Sequence, residues 1–528
     1  MGFLNRRQQM GWAALIIGTS VFLSRFMGLV RDKVISYLFG ATNESDIYFA
    51  AFVIPDFINY LLAGGYFSIT LIPFLADLMN RDRDEGWRFF SVVFTWISIA
   101  IVTLTCIAMW FAPELARIAA PGLNPEAMER LTRFLRIILP AQVFFLTGSC
   151  FTAVLYLRKQ FLAPALTPLI YNLSIILGGI LLKSKGMEGF CWGVLAGALV
   201  GNLLVPLLAV RQGEGMRLYP ALRHPGLKRY ILLALPLMLG QSIAMLDEQM
   251  LRVFGSLAGI GAVSWLAYAR RIMMVPVSVV GQAAGVASYP FIAELAAKKE
   301  FARFHEVMNN ALRNVLTLLV PLSVWMAIVS EPTVRLIFQQ GHFTLADTAQ
   351  TATLLRILLP AVCFWGFQQV LGRAFYARQD TLSPAVLGTV TTLCAVPIFL
   401  FLTRHLQAQG VAVASTAAIV LYTAALCLWW ARRHGGAVFS GLLHDVLKLV
   451  VLSSAAAVPS TLLLYLPAFD ASSHPLLSAF LAISASGLCF GLVFAPLAAR
   501  FTPALVQPFL KKAGPLGALL MRRPFTPA

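Results

Sequence analysis

Apolar windows of about 20 residues recur along the chain, each closed by a short polar break. They predict fourteen helices at approximately 11–38, 45–78, 89–112, 132–156, 161–182, 188–210, 228–253, 260–290, 312–330, 351–376, 382–403, 410–431, 447–467 and 476–498. Runs of that length cross the ~30 Å hydrocarbon core of a bilayer as helices, whereas barrel strands would alternate over ~10 residues. The expected fold class is therefore an all-α polytopic membrane protein. The second window is too long for one straight crossing. Pro55, Gly64, Gly65 and Pro73 stand where it would kink or unwind, as do Pro276, Gly281, Gly285 and Pro290 in the long eighth window.

The windows repeat. LRIILP at 135–140 recurs as LRILLP at 355–360, and LYLRKQFLAPAL at 155–166 as FYARQDTLSPAV at 375–386, both at an offset of 220. PFLADL at 73–78 recurs as PFIAEL at 290–295, at 217. Each repeat holds six helices. An even number makes the repeats parallel, related by a pseudo-two-fold axis along the membrane normal. The expected organisation is a six-helix lobe over 1–222, a second over 223–440, and two extra helices with a cytoplasmic tail over 441–528.

Composition agrees with this class. Of 528 residues, 59% are hydrophobic and 12% charged, against about 25% charged in soluble domains. The net charge of +18 falls mostly in short loops, so the positive-inside rule accounts for it and no nucleic-acid partner is expected. Alternate loops carry roughly 25 basic residues on one side against roughly 7 on the other. Both termini are thus expected to be cytoplasmic. Arg6 and Arg7 precede the first apolar run, which reads as a retained helix rather than a cleaved signal. The seven cysteines all lie in apolar stretches without a CxxC pair, and the seven histidines lack metal spacing. No HExxH, P-loop or GxSxG motif is present.

The chemistry concentrates in residues 24–56, SRFMGLVRDKVISYLFGATNESDIYFAAFVIPD. Charges inside a span cost roughly 2.5–3.5 kcal/mol each on insertion scales, and those retained face protein or water. At 100° per residue Arg25 and Asp32 share a helix face close to Gly28, with Arg31 about a third of a turn away. Two readings stand: a cationic pocket for an anionic substrate, or internal ion pairs such as Arg25 with Asp46. The matching part of the second repeat carries Asp247, Glu248, Arg252, Arg270 and Arg271. Parallel repeats with charges near their interface are a transporter pattern.

SRFMGLVRD at 24–32, SDIYFAAFVIPD at 45–56, GGYFSITLIPFLADL at 64–78, AVSWLAYARRIMMVPVSVVGQA at 262–283, FQQGHFT at 338–344 and FYARQDTLSPA at 375–385 resemble the MurJ (MviN) family of lipid II flippases, within a larger exporter superfamily of two six-helix lobes. The resemblance implies movement of the lipid-linked peptidoglycan precursor between leaflets of the bacterial cytoplasmic membrane. It implies a cationic cavity for the diphosphate-sugar head group, and a groove near the last two helices for the polyprenyl tail. Arg25, Arg31, Asp46 and Arg271 match functional charges of the family, and Arg270 joins them as a substrate-binding candidate. Ser24, Gly28, Asp32, Asn59 and Arg252 are expected to complete the cavity. The chain departs from the family at Asn59-Tyr60, where many relatives have arginine, at Gly64, where many have glutamate, and at Arg270, where an acidic residue is common. Its cavity is thus expected to be charged differently.

Lipid II and membrane lipids are the expected partners, the protein a monomer, and no cofactor is expected. A coupling ion or the membrane potential is the candidate energy source, although the eleventh span near TVTTLCAVP at 389–397 has threonines but no Asn or Asp to complete a cation site. The alternatives are an exporter of another lipid-linked oligosaccharide or amphipathic compound, and a membrane transferase on polyprenyl diphosphates. The transferase would need an acidic metal cluster or a histidine base at the membrane face.

Overall fold

The computed structural model describes residues 10–63, 66–212, 216–242, 246–466, 469 and 474–510, and the described residues contain helices and connections but no strand. Gly64 and Gly65 lie outside them. The chain divides into two compact units, Met1–Ser264 and Trp265–Ala528.

The first unit contains α1 (Met10–Phe39), α2 (Asn43–Ala50), α3 (Val53–Ala63), α4 (Tyr66–Arg81), α5 (Arg83–Trp110), α6 (Ala112–Ala119), α7 (Pro125–Ile138), α8 (Ala141–Leu157), α9 (Leu162–Leu181), α10 (Glu188–Gly197), α11 (Val205–Gln212), α12 (Gly226–Ser242) and α13 (Leu246–Ser256). The chain passes from α10 to α11 through a π-helical stretch, Ala198–Leu204. From α14 (Ala262–Pro276), which straddles the division, the second unit continues through α15 (Gln282–Ala297), α16 (Phe301–Ile328), α17 (Ser330–Ile337), α18 (Leu345–Leu358), α19 (Pro360–Ala377), α20 (Leu382–His434), α21 (Leu442–Leu463), α22 (Pro475–Phe501) and α23 (Pro503–Leu510).

The internal repeat is visible in element boundaries. α5 and α6 recur as α16 and α17 at an offset of 218, and α7 recurs as α18 at 220. The chemistry of the helix ends recurs too. Asn124 caps α7 by accepting from the Ala127 amide at 2.8 Å, and Thr344, 220 residues on, caps α18 by accepting from the Asp347 amide at 3.1 Å. α8 and α19 both end in a left-handed residue that is not glycine, Lys159 at φ 59° and Gln379 at φ 60°. Each closes the same pair of bonds, Gln160 N to Leu155 O with Lys159 N to Tyr156 O, and Asp380 N to Phe375 O with Gln379 N to Tyr376 O.

Among the described residues nine helical stretches are long and apolar enough to cross a membrane, or ten if the pair α18–α19, bent by 45°, is one span. Three features account for part of the difference from fourteen windows. The second window is delivered as α2, α3 and α4, and the seventh as α12 and α13, each shorter than the 18 residues such a helix needs. The eleventh and twelfth run together in the 53 residues of α20. There the chain folds back at Gln407, with φ 49° and ψ −131°. A Cβ on Gly410 would lie 2.0 Å from the Leu402 carbonyl oxygen, whereas a straight helix would set those residues about 12 Å apart. Only glycine fits that approach.

The compact units part at Ser264 because α12 packs on α3 and α4, and α13 on α2 and α3. Within the first unit α9 and α10 pack at backbone contact. A Cβ on Gly178 would stand 2.6 Å from the Gly193 Cα. In the second unit α21 packs on α16 and on α22. Ser453, Ala456 and Ser460 of α21 and Ala482 and Ser486 of α22 are all buried, and the Ser460 and Ser486 hydroxyls meet at 2.7 Å. Small residues of this kind let membrane helices approach closely.

Candidate functional site

α1 carries its charges past the middle of an apolar helix, and α9 supplies the surface that receives them. Ser20 Oγ donates to the Ala165 carbonyl at 2.5 Å. About three turns further on, Arg31 is half-buried and Asp32 only 2% exposed. Arg31 donates to Asp32 Oδ1 from Nε at 3.0 Å and from Nη2 at 2.9 Å, and to Asn172 Oδ1 of α9 from Nη1 at 3.2 Å. The Asn172 amide is in turn fixed by donating to the Pro168 carbonyl at 2.8 Å. A Cβ on Gly28 would lie 4.0 Å from Asn172 Oδ1, so this glycine faces the same polar spot. Three of the five guanidinium N–H groups are used by these contacts. One N–H on each terminal nitrogen is left for an incoming oxyanion.

A second cluster joins α3 to α13. Arg252 donates to Asp56 Oδ2 at 2.7 Å, to Glu248 Oε1 at 2.5 Å and to Gln249 Oε1 at 3.2 Å. Its side chain is 13% exposed. Arg252 thus stands between two carboxylates, an arrangement that neutralises it inside the unit. Asn59, one turn after Asp56, is half-buried on α3.

Asp46, 2% exposed, does something sequence reasoning did not foresee. Its Oδ2 accepts from the Gly261 amide at 2.5 Å, and its Oδ1 from the Ser264 amide at 2.8 Å and the Ser264 hydroxyl at 2.6 Å. The Ser264 hydroxyl also reaches Ser45 Oγ at 3.0 Å. The Gly261 amide immediately precedes α14 and the Ser264 amide lies in its first turn, where N–H groups have no partner within the helix. A carboxylate there is favoured by hydrogen bonding and by the helix dipole. Asp46 therefore caps a helix more than 200 residues away in sequence.

The remaining candidates are placed as follows. Ser24 is half-buried on α1, and Arg25 is exposed. On α14, Arg270 is buried, with its guanidinium carbon 5.8 Å from the centroid of the Trp365 ring, and Arg271 is exposed. The structure brings Arg31, Asp32 and Gly28 together with Asn172, and Arg252 together with Asp56. The partners missed in the sequence are Asn172, Gln249, Ser264 and Trp365. For Asn172 a signal existed, since it is the one side-chain amide within the largely apolar 161–182 window.

Comparison with known proteins follows the same lines. The family model described as lipid II flippase MurJ matches residues 35–482. A probable lipid II flippase MurJ of Buchnera aphidicola subsp. Acyrthosiphon pisum is 28% identical over 404 residues, 75% of this chain and 79% of that protein. A lipid II flippase MurJ of Burkholderia cenocepacia is 26% identical over 386 residues, 70% and 74% of the two chains. Among solved structures, a lipid II flippase MurJ in an inward closed conformation superposes with a TM-score of 0.78 at 22% identity, covering 93% of this chain and all of that one. An inward-facing multidrug resistance MATE family transporter of the MOP superfamily gives 0.64 at 16% identity, covering 81% and 98%. At these identities the structural matches report a shared fold.

Proposed function

The chain belongs to the family of lipid II flippases MurJ, and from that membership we propose how its own charges serve the transport of lipid II. The protein is a multi-span transporter of the bacterial inner membrane that moves lipid II across the bilayer for cell-wall synthesis. We assign head-group binding to Arg25, Arg31, Asp46, Arg270 and Arg271, with Ser24, Gly28, Asp32, Asn59 and Arg252 supporting them. The observation that carries this reading is the Arg31 guanidinium. It is held on one side by Asp32 and Asn172 and retains donors suited to a diphosphate. A charge kept inside an apolar helix at that cost needs a task, and phosphate recognition is one that uses the planar fork.

In the same reading, two six-helix lobes over 1–222 and 223–440 alternate in access, and residues 441–528 add the two helices that guide the polyprenyl tail. Both termini face the cytoplasm, the protein acts as a monomer without a cofactor or catalytic step, and a coupling ion or the membrane potential drives the cycle. Reconstitution into liposomes tests the substrate. Labelled lipid II and another polyprenyl-linked glycan are followed between leaflets in parallel. Movement of lipid II that is weakened by Arg31→Ala is expected. Equal movement of both lipids, indifferent to Arg31, would overturn the assignment.

A further inference from the structure

In the second unit a cavity of about 320 Å³ opens beside the end of α19 and the end of α20, lined by Phe375, Arg378, Asp380, Trp430, Arg433 and His434. Its apolar wall is built of packed rings. Trp430 is 1% exposed, and its ring meets Phe375 edge-on at 4.7 Å and stacks on His434 at 4.5 Å. The one carboxylate is already engaged. Asp380 accepts from the Ser383 amide at 2.9 Å, the Ser383 hydroxyl at 2.7 Å and Arg433 Nη1 at 2.8 Å.

Arg378 is different. Its guanidinium lies over the Phe301 ring at 4.5 Å from the centroid, and its side chain makes no hydrogen bond to another described residue. The repeat shows that this is not forced by the turn. Arg158 occupies the matching place, 220 residues earlier, after the same helix end. There Nη1 donates to the Val210 carbonyl at 3.0 Å, and the guanidinium lies over Trp87 at 5.7 Å. One repeat uses its arginine to close the structure, while the other leaves the donors directed at a cavity. Large apolar residues stand exposed beside this end of the unit, Phe301 at 40%, Leu382 at 71% and Val386 at 49%.

We propose that this cavity binds the phosphate of an anionic membrane lipid, with Arg378 as the principal donor, His434 and Arg433 flanking it, and the acyl chains lying along Phe301, Leu382 and Val386. Guanidinium forks match phosphate oxygens, and basic residues at a membrane edge attract anionic lipids. The exposed apolar neighbours favour a lipid over free phosphate, because a soluble anion has no use for them.

The test uses the full chain in phosphatidylcholine nanodiscs, with and without phosphatidylglycerol, and native mass spectrometry to count retained lipid. The wild type is expected to keep phosphatidylglycerol in preference to phosphatidylcholine. Arg378→Ala should lower that retention about tenfold, the loss of roughly one charge-assisted contact, and Arg378→Lys should lower it less. His434→Gln provides an independent reduction should Arg378→Ala fail to fold, as judged by size exclusion. Wild-type retention in folded Arg378→Ala and His434→Gln proteins overturns the proposal. Binding of inorganic phosphate in phosphatidylcholine discs, dependent on Arg378 and without phosphatidylglycerol retention, overturns the lipid as its source.

Discussion

Replacing Asp46 tests whether this carboxylate holds the start of α14 or serves only substrate. Alanine removes three bonds, from the Gly261 amide, the Ser264 amide and the Ser264 hydroxyl. Bonds to a charged acceptor contribute about 1.5–3 kcal/mol each, so simple addition would give about 4.5–9 kcal/mol. Two effects reduce this. The Ser264 hydroxyl keeps Ser45 Oγ at 3.0 Å, and burial of a charge at 2% exposure no longer has to be offset. A net loss of about 2–4 kcal/mol remains, mostly from two stranded amides, against a typical total of about 5–15 kcal/mol. Asparagine should cost less. Its single oxygen can serve Ser264, but its NH2 group then faces the Gly261 N–H, donor against donor. Ser264→Ala, which removes the hydroxyl's bonds to Asp46 and Ser45 but leaves both amide bonds to Asp46, should cost about 1.5 kcal/mol. Thermal unfolding in detergent should therefore rank Ser264→Ala, Asp46→Asn and Asp46→Ala in order of increasing damage. Lipid II movement is measured on the same samples and normalised to folded protein. An Asp46→Ala protein that melts with the wild type would refute the capping argument. Lost movement in a stable Asp46→Asn protein would assign the residue to substrate as well.

Arg31→Lys keeps the charge but cannot bridge Asp32 and Asn172 together. It should impair lipid II movement in part, Arg31→Ala severely, and Asn172→Ala about as much as Arg31→Lys, all in proteoliposomes. Arg252→Ala strands Asp56 and Glu248 beside each other and should lower stability by about 3 kcal/mol, near the lower end for a broken buried pair because Glu248 is partly exposed; the yield of folded protein and its melting report this. Gly193→Ala would set a Cβ 2.6 Å from the Ser174 carbonyl oxygen and should cost about 1–3 kcal/mol by overpacking, read in the same melt. A chain ending near residue 440 should lose lipid II movement even where membrane fractionation shows that it inserts.

The sequence made the helical class and the repeat legible because both are written in periodic hydrophobicity, which survives substitution of one apolar residue by another. The caps at Asn124 and Thr344 keep the 220-residue register although the residue type changed, since either side chain can accept from the same amide. The break at Gln407 was not legible beyond a short polar interval. A helical wheel placed Asp32 with Arg25, yet the Arg31 side chain reaches Asp32, because a wheel gives the direction of Cβ and not of a long side chain's head. Charged candidates were found from their cost in an apolar run. Asn172 carries no charge and meets Arg31 from 141 residues away, so nothing marked the pair. The bonds of Asp46 to 261 and 264 were not legible, because those donors include backbone amides, which every residue except proline possesses.

The reversal at Gln407 also decides where this chain tolerates added sequence. The corresponding crossing in the first repeat is made by a separate connection, Lys183–Lys185 followed by Gly186 at φ 64°, with Lys183, Ser184 and Lys185 exposed and Gly186 half-buried. An epitope inserted after Lys185 lengthens an exposed connection and leaves the two helices it joins intact. At Gln407 the two helical arms meet through one residue, and Gly410 rests against the Leu402 carbonyl. An inserted tag would have to pry those backbones apart. Topology reporters and affinity tags thus belong at the first crossing, and variants with insertions near 407 are expected to be lost to misfolding before their transport can be read.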